Sequence, residues 1–165
     1  TGHYDVRDRC EGSSAREAIA VMPAEFSQWG LQFQYPENWS VDTDGQQDGP
    51  RTVSVHSPEG AFWSVTADRP EADSLTQDIV HAIRQEYDSC ELEAIEHSIG
   101  TQRLSGFELN FYCLEFLVTA YVLHLRASGE QLVVLYQAES RDFERLEPVF
   151  DAISARLLKS QSLVE

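Results

Sequence analysis

A run dense in oxygen-bearing side chains, with carboxylates at loop spacing, is Asp42-Thr43-Asp44-Gly45-Gln46-Gln47-Asp48. Carboxylates stand at its first, third and seventh positions and a glycine at its fourth. Loops with that oxygen density can hold Ca²⁺, which prefers carboxylate and carbonyl ligands. Asp42, Asp44 and Asp48 are therefore the metal-ligand candidates. The helix–loop–helix calcium pattern needs a glycine at its sixth position and a glutamate at its twelfth. This chain has Gln47 and Val53 there, so a solvated hairpin loop is the plainer reading.

The histidines are His3, His56, His81, His97 and His124, and none lies in an HxH, HxxxH or HExxH pattern. His97 falls between Ile95 and Ile99 at strand spacing, which predicts a half-buried ring. His56 and His81 are expected on polar faces, and His124 on a strand two residues after Val122. An acid–base or metal role would need several of these groups, with carboxylates, to converge in the fold.

The cysteines, Cys10, Cys90 and Cys113, are odd in number and far apart, which fits neither a disulfide framework nor a CxxC metal site. That usage favours a reducing compartment, so a cytoplasmic location is the expectation. Cys113 alternates with Phe107, Leu109 and Phe111 and reads as a small core hydrophobe. Cys90 sits beside Asp88 and Glu91, acids that would raise a thiol pKa and blunt a nucleophile. There is no GxSxG, no phosphate-binding P-loop and no GxGxxG. No cofactor is expected. Phe62 falls on the face opposite Trp63 and Val65, and with Phe26 and Tyr112 it is a candidate for contact with a partner; cover by a docked helix is the plainer reading.

Such side chains need a scaffold, and 165 residues suffice for one ordinary domain with a sizeable core. Hydrophobic residues make up 42% and charged residues 24%, a globular composition. There are 28 acids against 12 bases, a formal net charge of -16, and Lys159 is the one lysine. A surface so negative repels phosphates, which disfavours nucleic acid and anionic lipid alike. A basic protein partner would be attracted instead. No apolar run approaches the length of a membrane-spanning helix.

Periodicity supplies the elements. Ser14-Ala15-Arg16-Glu17 is a capping box that opens a short helix through Met22, ended by Pro23. Trp29, Leu31, Phe33 and Tyr35 alternate with polar residues and predict a strand. A turn at Pro36-Glu37-Asn38 leads into a return strand from Trp39, then a polar loop from Asp42 to Pro50. Strands over 52–57 and 61–67 are joined by a turn at Ser57-Pro58-Glu59-Gly60. Ser74-x-x-Gln77 opens a helix with Leu75, Ile79, Ala82, Ile83 and Tyr87 on one stripe. Alternation returns over 92–99, residues 100–106 connect, and a three-strand meander spans 107–115, 117–126 and 131–139. An amphipathic helix from about Asp142 closes the chain, with Pro148 inside it.

Helices grouped around short-connected strands make an α+β fold with a central antiparallel sheet flanked by helices. The expected organisation is an N-terminal polar segment and short helix over 1–25, then a single α+β domain over 26–165.

The stretch Phe33-Gln34-Tyr35-Pro36-Glu37-Asn38-Trp39 resembles the aromatic-x-x-P-x-x-W opening of the Mog1/PsbP-like superfamily. Ser57-Pro58-Glu59-Gly60 is similar to that group's early hairpin, and Phe143 to Leu157, with Phe150-x-x-Ile153, to its C-terminal helix. The resemblance spans roughly residues 26–158, mostly as the order and spacing of elements, and points to a bacterial member. It implies an αβα sandwich. It also implies a protein that binds other proteins and catalyses nothing, since most members do so. With no catalytic motif in the sequence, a non-catalytic protein-binding or accessory domain is the expected function. The alternatives are a hydrolase with a dispersed His/carboxylate site and a Ca²⁺-dependent binding module.

Overall fold

A computed structural model describes residues 23–46, 49–127 and 129–164, with side chains as far as Gln161. The expected helix over 14–22, with His3, Cys10 and Asp48, lies outside the described residues.

The chain opens on a two-stranded hairpin, β1 (Pro23–Gln28) and β2 (Leu31–Pro36). Seven more strands form one sheet: β3 (Ser40–Gly45), β4 (Arg51–His56), β5 (Phe62–Asp68), β6 (Glu91–Ile99), β7 (Gln102–Cys113), β8 (Phe116–Ala127) and β9 (Glu130–Glu139). Two helices complete the described chain: α1 (Leu75–Glu86) between β5 and β6, and α2 (Ser140–Val164) after β9. The sheet order is β3-β4-β5-β9-β8-β7-β6, with each pair antiparallel. It is two meanders joined edge to edge through β5 and β9, with α1 carrying the chain to the far edge.

Each face of the sheet has its own core. On one face, α2 and the β1–β2 hairpin cover Trp63, Tyr136, Leu123 and Leu132 with Phe33, Phe150, Ile153 and Leu157. On the other, α1 lays Val80, Ile79 and Ile83 over Leu109, Phe111, Val118, Ala120, Val122 and Val133. Tyr87, just past α1, stacks on Phe111 at 4.4 Å. This is the expected α+β sandwich, and the alternation of β7 to β9 on two buried faces reflects cover from both sides.

Three boundaries differ from the sequence reading, each for a physical reason. Trp29 is the first residue of a two-residue turn, not a strand residue. Both Trp29 (φ 57°) and Gly30 (φ 74°) are left-handed, the conformation that matches hairpin twist. The strand before them, β1, buries only Phe26, so it gives little alternation to read. Its span also crosses the boundary expected at residue 26. The return strand expected from Trp39 runs on as β3 through Gly45, so residues 42–45 are strand and not loop; as an edge strand exposed at every position, β3 has no apolar face to mark its extent. The connection expected over 100–106 is a tight turn, because Ile99 pairs with Gln102 across Gly100 (φ 62°).

Arg51 fixes the small hairpin to the large sheet. Its guanidinium is 4% exposed and donates to both carboxylate oxygens of Glu130, at 2.7 and 3.0 Å, and to the Trp29 carbonyl at 3.0 Å. Gln161 of α2 donates to the Gly30 carbonyl at 2.9 Å. A buried cation that is both paired and hydrogen-bonded offsets its desolvation. Here it also ties β1–β2, β4 and the start of β9 into one body.

Candidate functional site

Two places gather side chains beyond what packing requires. The first is a polar chain between the sheet and α2. Trp63 Nε1 donates to Ser154 Oγ at 2.9 Å, Ser154 and Tyr136 share a bond of 2.9 Å, and Tyr136 donates to Asp151 Oδ1 at 2.8 Å. Asp151 Oδ1 also lies 2.7 Å from His97 Nε2, and His97 Nδ1 lies 3.6 Å from Glu147 Oε2. The direction of the chain follows from its ends. An indole nitrogen only donates and a carboxylate only accepts, so each hydroxyl between them accepts once and donates once.

The backbone explains why these residues meet. Glu147 and Asp151 are one helical turn apart on α2, on the same face. His97 lies on the face of edge strand β6 that turns toward α2, with its ring edge-on to Tyr121 (5.4 Å) and Tyr136 (6.0 Å). Burial, then the Asp151 carboxylate, raises the Glu147 pKa, while His97 pulls the other way. Burial pushes the Tyr121 hydroxyl up to about 12, helped by Glu147, Glu108 and Asp151. The Tyr136 hydroxyl is held well above its ordinary value by burial and Asp151.

The order Tyr136–Asp151–His97 has the acid and base of a hydrolytic triad but not its nucleophile. The second imidazole nitrogen faces a carboxylate, Glu147, where a triad places a hydroxyl or thiol. A groove of about 780 Å³ runs elsewhere, between the start of α1 and strands β6 to β8. His124 lines it, with its Nε2 held 2.6 Å from Gln131 Oε1. His97, Glu147 and Asp151 do not line that groove.

The second place is the tip of the β7–β8 hairpin. Tyr112, Leu114, Phe116 and Leu117 are 58, 92, 47 and 40% exposed, in a chain whose other large apolar side chains are mostly buried. Leu114 has φ 60°, the left-handed conformation that residues other than Gly, Asn and Asp rarely adopt. Neither the turn nor the core gains from a leucine there.

The residues singled out from the sequence therefore separate. Tyr112 is exposed at the tip. Phe62 is half-buried against His56, ring centroids 5.3 Å apart. Phe26 is 7% exposed and stacked on Phe33 at 5.2 Å, so the core takes it and it offers no surface. Asp42 and Asp44 are exposed on β3, opposite Ser54 and Thr52 in register. His81 is exposed on α1, and Cys90 and Cys113 are half-buried. The Cys90 thiol is raised chiefly by burial, with Arg84 opposing, and not by the acids beside it in sequence. Glu147, Asp151, Tyr136 and Ser154 escaped the sequence reading. The Glu-x-x-x-Asp spacing on an amphipathic helix was the signal present, but it recurs by chance in so acidic a chain. Leu114-Glu115-Phe116-Leu117 was readable as apolar residues in a turn position.

The chain has a PsbP-like α+β fold. The solution structure of cyanobacterial PsbP (CyanoP) from Synechocystis sp. PCC 6803 superposes with a TM-score of 0.53 at 15% identity, covering 82% of this chain and 89% of that one. A crystal structure of a protein of unknown function from Pseudomonas aeruginosa, described as a putative regulator, matches with a TM-score of 0.46 at 12% identity. That match covers 82% of this chain and 95% of the other. No family model matches the chain, and no curated protein sequence does. No helix among the described residues is long and apolar enough to cross a membrane.

Proposed function

We propose that this chain is a non-catalytic protein-binding or accessory domain that docks its partner on the β7–β8 tip. The observation that supports this most directly is Leu114, 92% exposed in a backbone conformation that penalises it. With Tyr112, Phe116 and Leu117 it makes an apolar patch on a two-stranded projection, the kind of surface that marks a contact site. Glu115 lies within the patch, and the chain carries a net charge of -16. A partner that presents an apolar pocket rimmed by basic groups fits both features.

The test compares the wild type with a Leu114→Asp, Phe116→Asp double variant in pull-downs from the source cells at low and high salt. The expected result is a partner that the wild type retains, that salt weakens and that the variant loses. A partner set identical for both proteins would refute the assignment of the tip. Salt-independent capture would refute the basic rim.

A further inference from the structure

The His97, Glu147 and Asp151 side chains do more than pair. One donor atom from each lies within 4.8 Å of the others, on two elements fixed relative to one another by the core. We propose that these three residues bind a divalent first-row transition ion of the Zn²⁺ kind.

The donor set selects the ion class. Ca²⁺ and Mg²⁺ prefer oxygen alone, whereas an imidazole with two carboxylates suits Zn²⁺ and its neighbours. Bonds of about 2.0–2.2 Å to nitrogen and carboxylate oxygen require tetrahedral ligands to stand roughly 3.3–3.6 Å apart. His97 Nε2 and Asp151 Oδ1, now 2.7 Å apart, open by less than about 1 Å to admit an ion in place of the bridging proton. The Glu147 side chain, one turn earlier on α2, is partly exposed, so torsion about its own bonds carries the carboxylate across the ring. Two carboxylates on one helix face repel each other, and a dication between them reverses the sign of that interaction.

The outer shell is already in place. Tyr136 donates to Asp151 and is itself held by Ser154 and, through it, Trp63. Metal-ligating carboxylates are commonly oriented by such a bond. Three protein ligands leave a coordination position for water or for a group from a partner.

The test is calorimetric titration of chelator-treated protein with ZnSO₄, with Co²⁺ absorption as a second readout. The expected result is one equivalent bound, with visible Co²⁺ bands of four-coordinate intensity. His97→Gln and Glu147→Gln are each expected to lower the affinity by about tenfold or more, and Tyr136→Phe by about tenfold through its bond to Asp151. Glu71→Gln, in an exposed loop, leaves it unchanged. The His97 imidazole ¹⁵N resonances of the wild type should shift on adding Zn²⁺, which needs no variant. Absence of binding overturns the proposal. So does weak uptake of several equivalents that both ligand variants retain, the behaviour of a generally acidic surface.

Discussion

Replacing Ser154 with alanine removes the one group that serves both ends of the buried polar chain. Ser154 and Trp63 are each 0% exposed, so water does not reach the indole N–H once its acceptor is gone. An orphaned buried donor costs about 1–3 kcal/mol, and the lost bond to Tyr136 about 1 more. Alanine returns up to about 0.5 kcal/mol through its helix propensity on α2. The net loss is about 1.5–4 kcal/mol, a fall in melting temperature of about 3–16 °C for a chain of this size. Tyr136→Phe removes a bond to a carboxylate yet should cost less, about 1–2 kcal/mol. Asp151 is half-exposed, keeps His97 and gains water, while the Ser154 hydroxyl can turn to the carbonyl one helical turn before it. Urea denaturation followed by far-UV circular dichroism measures both. A double-mutant cycle with Trp63→Phe isolates the indole bond, with an expected coupling of about 1–2 kcal/mol. A Ser154→Ala loss under about 0.5 kcal/mol, or a Tyr136→Phe loss exceeding it, would refute the one-way ordering of donors.

Other expectations follow from single positions. Gly106→Ala would set a Cβ 1.9 Å from the Val122 carbonyl oxygen and 2.9 Å from Leu123 Cα, backbone that cannot yield. A loss of about 2–3 kcal/mol, or failure of β7–β8 pairing, should appear in urea titration and amide exchange. Leu114→Asn should leave stability unchanged or raise it by less than about 1 kcal/mol, because Asn tolerates the left-handed backbone. The same change should weaken partner capture. Alkaline titration tests the tyrosines. Burial pushes the folded Tyr121 hydroxyl up to about 12 and holds that of Tyr136 well above its ordinary value, so both lie above the unfolded value of 10.0. For an acid that is neutral when folded, a raised pKa means that ionisation favours the unfolded chain. The neutral phenols therefore cost nothing below that unfolded value, and stability falls as pH climbs from it through the folded ones. Phenolate absorbance of these two should rise only together with loss of the far-UV signal; ionisation at ordinary pH in the folded protein would contradict their burial.

Where one face of an element is buried and the other wet, its pattern was legible. The Ser57–Gly60 turn, β4, β5, α1 and the closing helix all appear where alternation or helical spacing put them, although on α1 Thr76 and Val80 are buried and Ala82 of the expected stripe is exposed. The Ser57 turn is closed by Gly60 N–H to the Ser57 carbonyl at 3.1 Å and Ala61 N–H to Ser57 Oγ at 3.0 Å. Elements without an apolar face were legible in part or not at all: a return strand from Trp39 was readable but its continuation over 42–45 was not, nor was β1. β3 is exposed throughout, and β1 buries a single ring. The capping reading at Ser74 also changes in detail: the helix starts there, but the hydroxyl donates to Asp78 Oδ2 at 3.2 Å and not to a backbone partner.

The sequence by itself determined the class of the fold, because periodicity of two and of 3.6 reports which faces are buried. It also determined an acidic surface, which follows from composition alone. Only the tertiary structure decided which polar groups meet. His97 and Asp151 are 54 residues apart, and Trp63 and Ser154 are 91 apart. Nothing local relates such positions; the docking of α2 on the sheet does. Tertiary structure likewise decided that Phe26 is core while Leu114 is surface. An apolar side chain carries no mark of its own fate, since burial depends on what another segment brings to cover it, and nothing among the described residues covers the tip of β7 and β8.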